Sequence, residues 1–163
     1  MPVAIAVGLA IAGLAIGFTA ATGQSNSNVL YSGQDQLPAL IENGAAYSVG
    51  TLLLLLVCKG LAYVGSLTSF RGGPVFPSLF IGAAGGMAMS HLPGLPMIGG
   101  VAMGIGAMAV GMLRLPMTSV LLTALFLGSD GFDLMPLIII AVVVSHVATI
   151  RLTPLPTVTP AEQ

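Results

Sequence analysis

Apolar residues run along this 163-residue chain in long blocks, separated by short polar or Pro/Gly-rich stretches. The blocks carry almost no charge and strands are not indicated, so they read as helices apolar on every side. A helix that crosses a bilayer needs roughly 20 apolar residues. Residues 3–21 and 45–69 meet that length, and 135–150 is borderline. Residues 77–90, 96–113 and 116–128 form three shorter blocks. At about 1.5 Å per residue, the first and last of these reach only about 20 Å. Helices that short must be sheltered by other helices or line a water-filled cavity. The expected fold is an all-α, polytopic transmembrane helical bundle with short, Gly/Pro-broken helices.

The breaks support these boundaries. Residues 22–44, 71–76, 91–95 and 129–134 read as loops, the first with a short helix starting at Pro38. Pro38, Pro77, Pro96, Pro116 and Pro136 each stand where a segment begins, a position at which proline's missing N–H costs nothing. No Lys or Arg precedes residues 3–21, so a retained span is expected there rather than a cleaved signal peptide. Residues 1–151 are expected to form one transmembrane domain, followed by a Pro-rich cytoplasmic tail at 152–163.

Composition sharpens the class. Only 6% of residues are charged, against roughly a quarter in an ordinary soluble domain. Residues 1–34 and 72–113 hold no Asp, Glu, Lys or Arg. That excludes a water-soluble domain, a disordered tail and a nucleic-acid binder, which needs a basic patch. If each segment changes side, Arg71, Arg114 and Arg151 fall on one face, and Asp35, Glu42, Asp130 and Asp133 on the other. The positive-inside rule then puts the arginines and both termini in the cytoplasm, in a plasma (inner) membrane protein.

The chemistry concentrates in residues 66–86. A Gly-rich loop, with Gly72 and Gly73, feeds a helix expected to start at Pro77, with Val75, Phe76 and Ser78 beside it. A helix start presents N–H groups without internal partners at the positive end of the macrodipole, and can hold an anion with no full positive charge. A conduction path benefits, because a buried Lys or Arg would bind the ion too tightly to release it. The same residues also fit ordinary helix-packing glycines and a Ser/Thr-rich turn.

Lys59 sits inside an apolar block, where a charge is costly and by default a functional candidate. It is expected to pair with Glu42, to snorkel toward the face of Arg71, or to serve an ion path. His146, beside Ser145, reads as a helix-contact residue or a proton-path group. His91 reads as a loop or helix-end residue. No metal site or cofactor is expected, because the histidines lack ligand company and the nine methionines read as core filling. Cys58 reads as a small buried hydrophobe. An intramembrane serine protease using Ser66 or Ser69 with His146 has the residue types and no nucleophile motif.

The run Gly72-Gly73-Pro74-Val75-Phe76-Pro77-Ser78-Leu79, followed by Gly82-Ala83-Ala84-Gly85, resembles the second-half anion-coordinating helix of the CLC chloride channel and transporter family. Residues 99–112 and then Arg114-Leu115-Pro116-Met117-Thr118 are similar to the Gly-rich helix of that family that ends in Arg-x-Pro-x-Thr. The resemblance covers most of residues 1–151 and only the C-terminal half of the family's subunit, one of its two inverted repeats. It implies chloride, or another small anion, moved by a channel or exchanger. It also implies a homodimer, or a partner chain supplying the N-terminal half. The chain departs from the family at several points. Its first-half motifs, including the gating glutamate, have no counterpart here, and no central pore Tyr follows Arg151. Pro74 offers no N–H where the family often uses one.

Overall fold

The computed structural model describes residues 2–30, 33, 36–42, 47–69, 73, 75–92 and 94–153, apart from the side chains of 2–4, 28, 42 and 67–69. Among these residues the protein is all-helical: α1 (Pro2–Thr22), α2 (Ser27–Leu30), α3 (Gln36–Glu42), α4 (Val49–Ser69), α5 (Val75–Met89), α6 (Met97–Leu113), α7 (Pro116–Leu127), α8 (Ser129–Asp133) and α9 (Met135–Leu152). Helices α1, α4 and α9 are long and apolar enough to span a bilayer; α5, α6 and α7 are apolar and shorter. Outward-facing Ile5, Leu9, Leu53, Leu61, Ile140 and Val144 are exposed. Lipid rewards such a surface, and the chain is an integral membrane helical bundle.

Two expectations need correction. Residues 129–133 form the helix α8 rather than a loop. Gly131 explains the packing: a Cβ there would come within 2.8 Å of the Ala124 Cα, so only glycine lets α8 fold back onto α7. The five prolines read as segment starts do open helices, but of them only Pro116 is a first helical residue. Pro96 is the residue before α6, Pro136 is second in α9, and Pro38 and Pro77 are third in α3 and α5. All lie in the unbonded first turn, where the absent N–H removes no helix bond. The tail from residue 154 lies outside the described residues.

Close backbone approach sets the helix order. Helices α5 and α6 pack antiparallel, with Gly82 facing Gly104 and Gly86 facing Gly100. Each of these glycines meets the other helix's backbone carbonyl where a side chain would stand; a Cβ on Gly100 would lie 2.5 Å from the Gly86 carbonyl oxygen. Without a hydrophobic force between helices in lipid, such small-residue contacts supply the van der Waals gain. Lys59 lies over Phe80 and Leu56 approaches Gly85, so α4 runs antiparallel to α5. Val7 near the start of α1 packs on Gly65 near the end of α4, again antiparallel.

On the other flank, α6 and α9 run parallel. Gly99 adjoins Leu137, Gly111 adjoins Thr149, and the Ser145 hydroxyl donates across the helices to the Ala107 carbonyl at 2.8 Å. Arg114 and Arg151, at the ends of α6 and α9, therefore share one end of the bundle, and Asp130 and Asp133 lie at the other. The core has two parts. Phe18, Leu37, Leu52, Leu55, Phe80, Met87 and Ile105 fill the larger. Ala102, Val110, Ile138 and Val142 fill a smaller one beneath α9.

Candidate functional site

Helix α5 begins at Val75, two residues earlier than the proline signal suggests. The shift matters, because the first turn decides which N–H groups are left without an acceptor. Pro77, third in the helix, has no N–H, and neither does Pro74 before it. The orphan donors are therefore those of Val75 and Phe76, at the positive end of a 15-residue helix.

The surroundings differ on the two sides of this helix start. Gly73 is exposed, and no other described residue lies within 4 Å of where its Cβ would stand, its chain neighbours aside. Behind it the packing is tight. Ser78 is buried, and its hydroxyl donates to the Val75 carbonyl at 2.6 Å, bracing the first turn. Leu79 and Phe80 follow, both buried. The Phe76 ring meets Phe126 of α7 edge-on, with centroids 6.2 Å apart and planes at 69°. Gly72 and Arg71 lie outside the described residues.

Lys59 is midway along α4 and only 2% exposed, so it does not snorkel. Its Nζ stands 4.2 Å from the centre of the Phe80 ring, close enough for a cation–π contact, worth about 2 kcal/mol when desolvated. Gly33 also packs closely on Phe80, and its φ of +92° only glycine adopts without strain; a Cβ there would lie 2.8 Å from the Phe80 ring. Phe80 lies five residues past Val75, about 7.5 Å along the axis. The structure thus brings Lys59 onto the same helix as the orphan donors, through a ring that sequence spacing alone does not single out. The Glu42 side chain lies outside the described residues.

His146 is elsewhere. It stands on α9 beside Ser145, and its Nδ1 is buried with no hydrogen-bond partner among the described residues. Helices α5 and α6 lie between α4 and α9 in the packing order, so Ser66 and His146 are on opposite flanks, unlike a nucleophile and its base. His91 lies at the end of α5, with Nδ1 3.1 Å from the Met87 carbonyl. A carbonyl only accepts, so that nitrogen carries the proton.

A Gly-packed bundle with few charges and long apolar spans defines the class as a polytopic helical membrane protein. The family described as voltage gated chloride channel matches residues 1–149. The chain is 37% identical over 90 residues to the provisionally designated ion-transport protein YfeO of Escherichia coli O1:K1. It is 36% identical over 90 residues to the proteins of the same name from Escherichia coli K12 and Shigella boydii serotype 18. Each match covers 54% of this chain and 21% of the relative, so the chain spans about a fifth of the length of these relatives. No solved structure matches. The chain belongs to the voltage gated chloride channel family.

Proposed function

We propose that this chain moves chloride, or a similar small anion, across a membrane through the start of α5. The observation that carries the reading is the pair of orphan donors, Val75 N–H and Phe76 N–H, at the start of α5 beside the exposed Gly73. Gly73 lets the backbone reach the ion, as the sequence suggests for Gly72, which lies outside the described residues, and Ser78 braces the turn. Lys59 adds positive potential from behind Phe80 without standing in the path. His146 is the candidate proton-path group on the other flank. Pro77 in the first turn and Pro74 before the helix carry no N–H, so the site offers few donors and holds the ion loosely enough to release it. By the positive-inside rule the end bearing Arg114 and Arg151 faces the cytoplasm, which puts both termini there, in an inner membrane protein.

A second reading has a specific observation behind it. Apart from Glu42 in the short α3, residues 1–151 contain no glutamate, so a gating carboxylate must come from elsewhere. On this reading the chain supplies one half of the site and conducts only with a partner carrying the other half; on the first, it works as a homodimer of one pore per subunit.

Chloride efflux from liposomes tests both. The purified chain is reconstituted alone, and then with a co-expressed partner encoded beside it that carries the gating-glutamate motif. Efflux from the chain alone supports the first reading, and efflux only with the partner supports the second. Efflux in neither, from correctly folded protein, overturns the proposal.

A further inference from the structure

A cavity of about 210 Å³ lies between α3, the start of α6, the end of α7 and α8. It belongs to the bundle end that carries Asp130 and Asp133, opposite Arg114 and Arg151, and none of the proposed anion-site residues lines it. Leu37, Ile41, Ile98, Val101 and Phe126 make its walls apolar, and among the described residues Asp130, exposed at its rim, is the charged residue that lines it. An apolar cavity of roughly 150 Å³ holds a benzene molecule. This one therefore takes a phenyl ring and a short chain beyond it.

The lining dictates the charge of the occupant. Apolar walls with one well-placed polar group are the usual make-up of a small-molecule site, the polar group fixing orientation. Here that group is a carboxylate, which repels an anion and gives a neutral ligand only an ordinary hydrogen bond. A primary ammonium gains a charge-assisted one.

We propose that this cavity binds a small aryl-alkyl primary ammonium, its ring against Phe126 and Val101 and its ammonium on the Asp130 carboxylate. The proposal does not rest on the anion reading: it is measured by binding rather than transport, and no proposed anion-site residue lines the cavity, although its wall residue Phe126 meets the Phe76 ring.

The test uses the full chain in phosphatidylcholine nanodiscs and three probes of one shape: 2-phenylethylammonium, 2-phenylethanol and phenylacetate, titrated calorimetrically against empty discs. The ammonium is expected to bind about tenfold tighter than the alcohol, the gain of a charged over a neutral hydrogen bond. Phenylacetate is expected to bind weakest. Asp130→Asn should remove the preference for the ammonium while keeping the alcohol's affinity. Ile98→Phe fills the cavity from a residue that is 40% exposed, so folding is spared, and should weaken the ammonium and the alcohol together. Equal affinity for the three probes overturns the proposal. So does an Ile98→Phe protein that binds like the parent, since that reports partition into the bilayer alone.

Discussion

Replacing Val75 by proline removes one backbone donor and little else. Val75 is the first residue of α5. Proline is favoured there, since its fixed φ suits a helix start and no intrahelical bond is lost. The half-buried side chain loses some packing, and Val75→Ala serves as the control that loses packing but keeps the N–H. A hydrogen bond to a charged partner is worth about 1.5–3 kcal/mol. Loss of one of the two donors should therefore weaken chloride binding by about 10- to 100-fold, at 1.4 kcal/mol per tenfold. Binding should not vanish, because Phe76 N–H and the helix dipole remain. The assay is a chloride titration of the reconstituted protein at constant ionic strength, paired with thermal unfolding to show that both variants fold. If Val75→Pro binds chloride as tightly as Val75→Ala does, with equal unfolding temperatures, the backbone-donor reasoning is wrong.

Other perturbations address the scaffold around that site. Gly86→Val drives a side chain into the Gly100 backbone and should cost about 2 kcal/mol or more of unfolding free energy in detergent, whereas Gly73→Ala, in open space, should leave stability unchanged. Phe80→Ala empties a buried site and should cost about 3–5 kcal/mol, while Phe80→Leu, which keeps most of the volume but not the ring over Lys59, should cost about 1–2 kcal/mol; denaturant titrations separate the two. Ser145→Ala removes the hydroxyl bond from α9 to Ala107 and should cost only about 0.6 kcal/mol by the same measurement. Arg114 ends α6 with φ of 56°, so Arg114→Val should be about 1–2 kcal/mol less stable than Arg114→Gly, the charge being lost equally in both.

How far the sequence could be read depended on the kind of information each feature needs. The spans α1, α4 and α9 are set by apolar length, a property of single segments, and were legible to within a few residues. The short helices were legible from their prolines. Their starts were not, because proline is tolerated at any position of the first turn, and α5 accordingly opens at Val75 with Pro77 inside it. Residues 129–133 read as a turn because Ser-Asp-Gly-Phe-Asp is turn chemistry. They form α8 because Gly131 can lie on the Ala124 backbone, a tertiary contact with no local signal. The pairing of Gly82 with Gly104 and of Gly86 with Gly100 was not read in the sequence, because it depends on how the hairpin brings α5 and α6 together. Lys59 shows the limit most plainly. Its burial depends on α4 meeting α5 at Phe80, a tertiary contact, so composition alone could not exclude snorkelling.

The central claim is that the α5 start holds the anion through the N–H groups of Val75 and Phe76. Bromide substitutes for chloride and scatters anomalously, so crystals of the protein in its assembled form, grown in bromide, locate the ion directly. The account predicts an anomalous peak within hydrogen-bond distance of both backbone nitrogens, weakened in Val75→Pro. An ordered α5 start with no peak before it, and bromide sites elsewhere in the bundle, would contradict it.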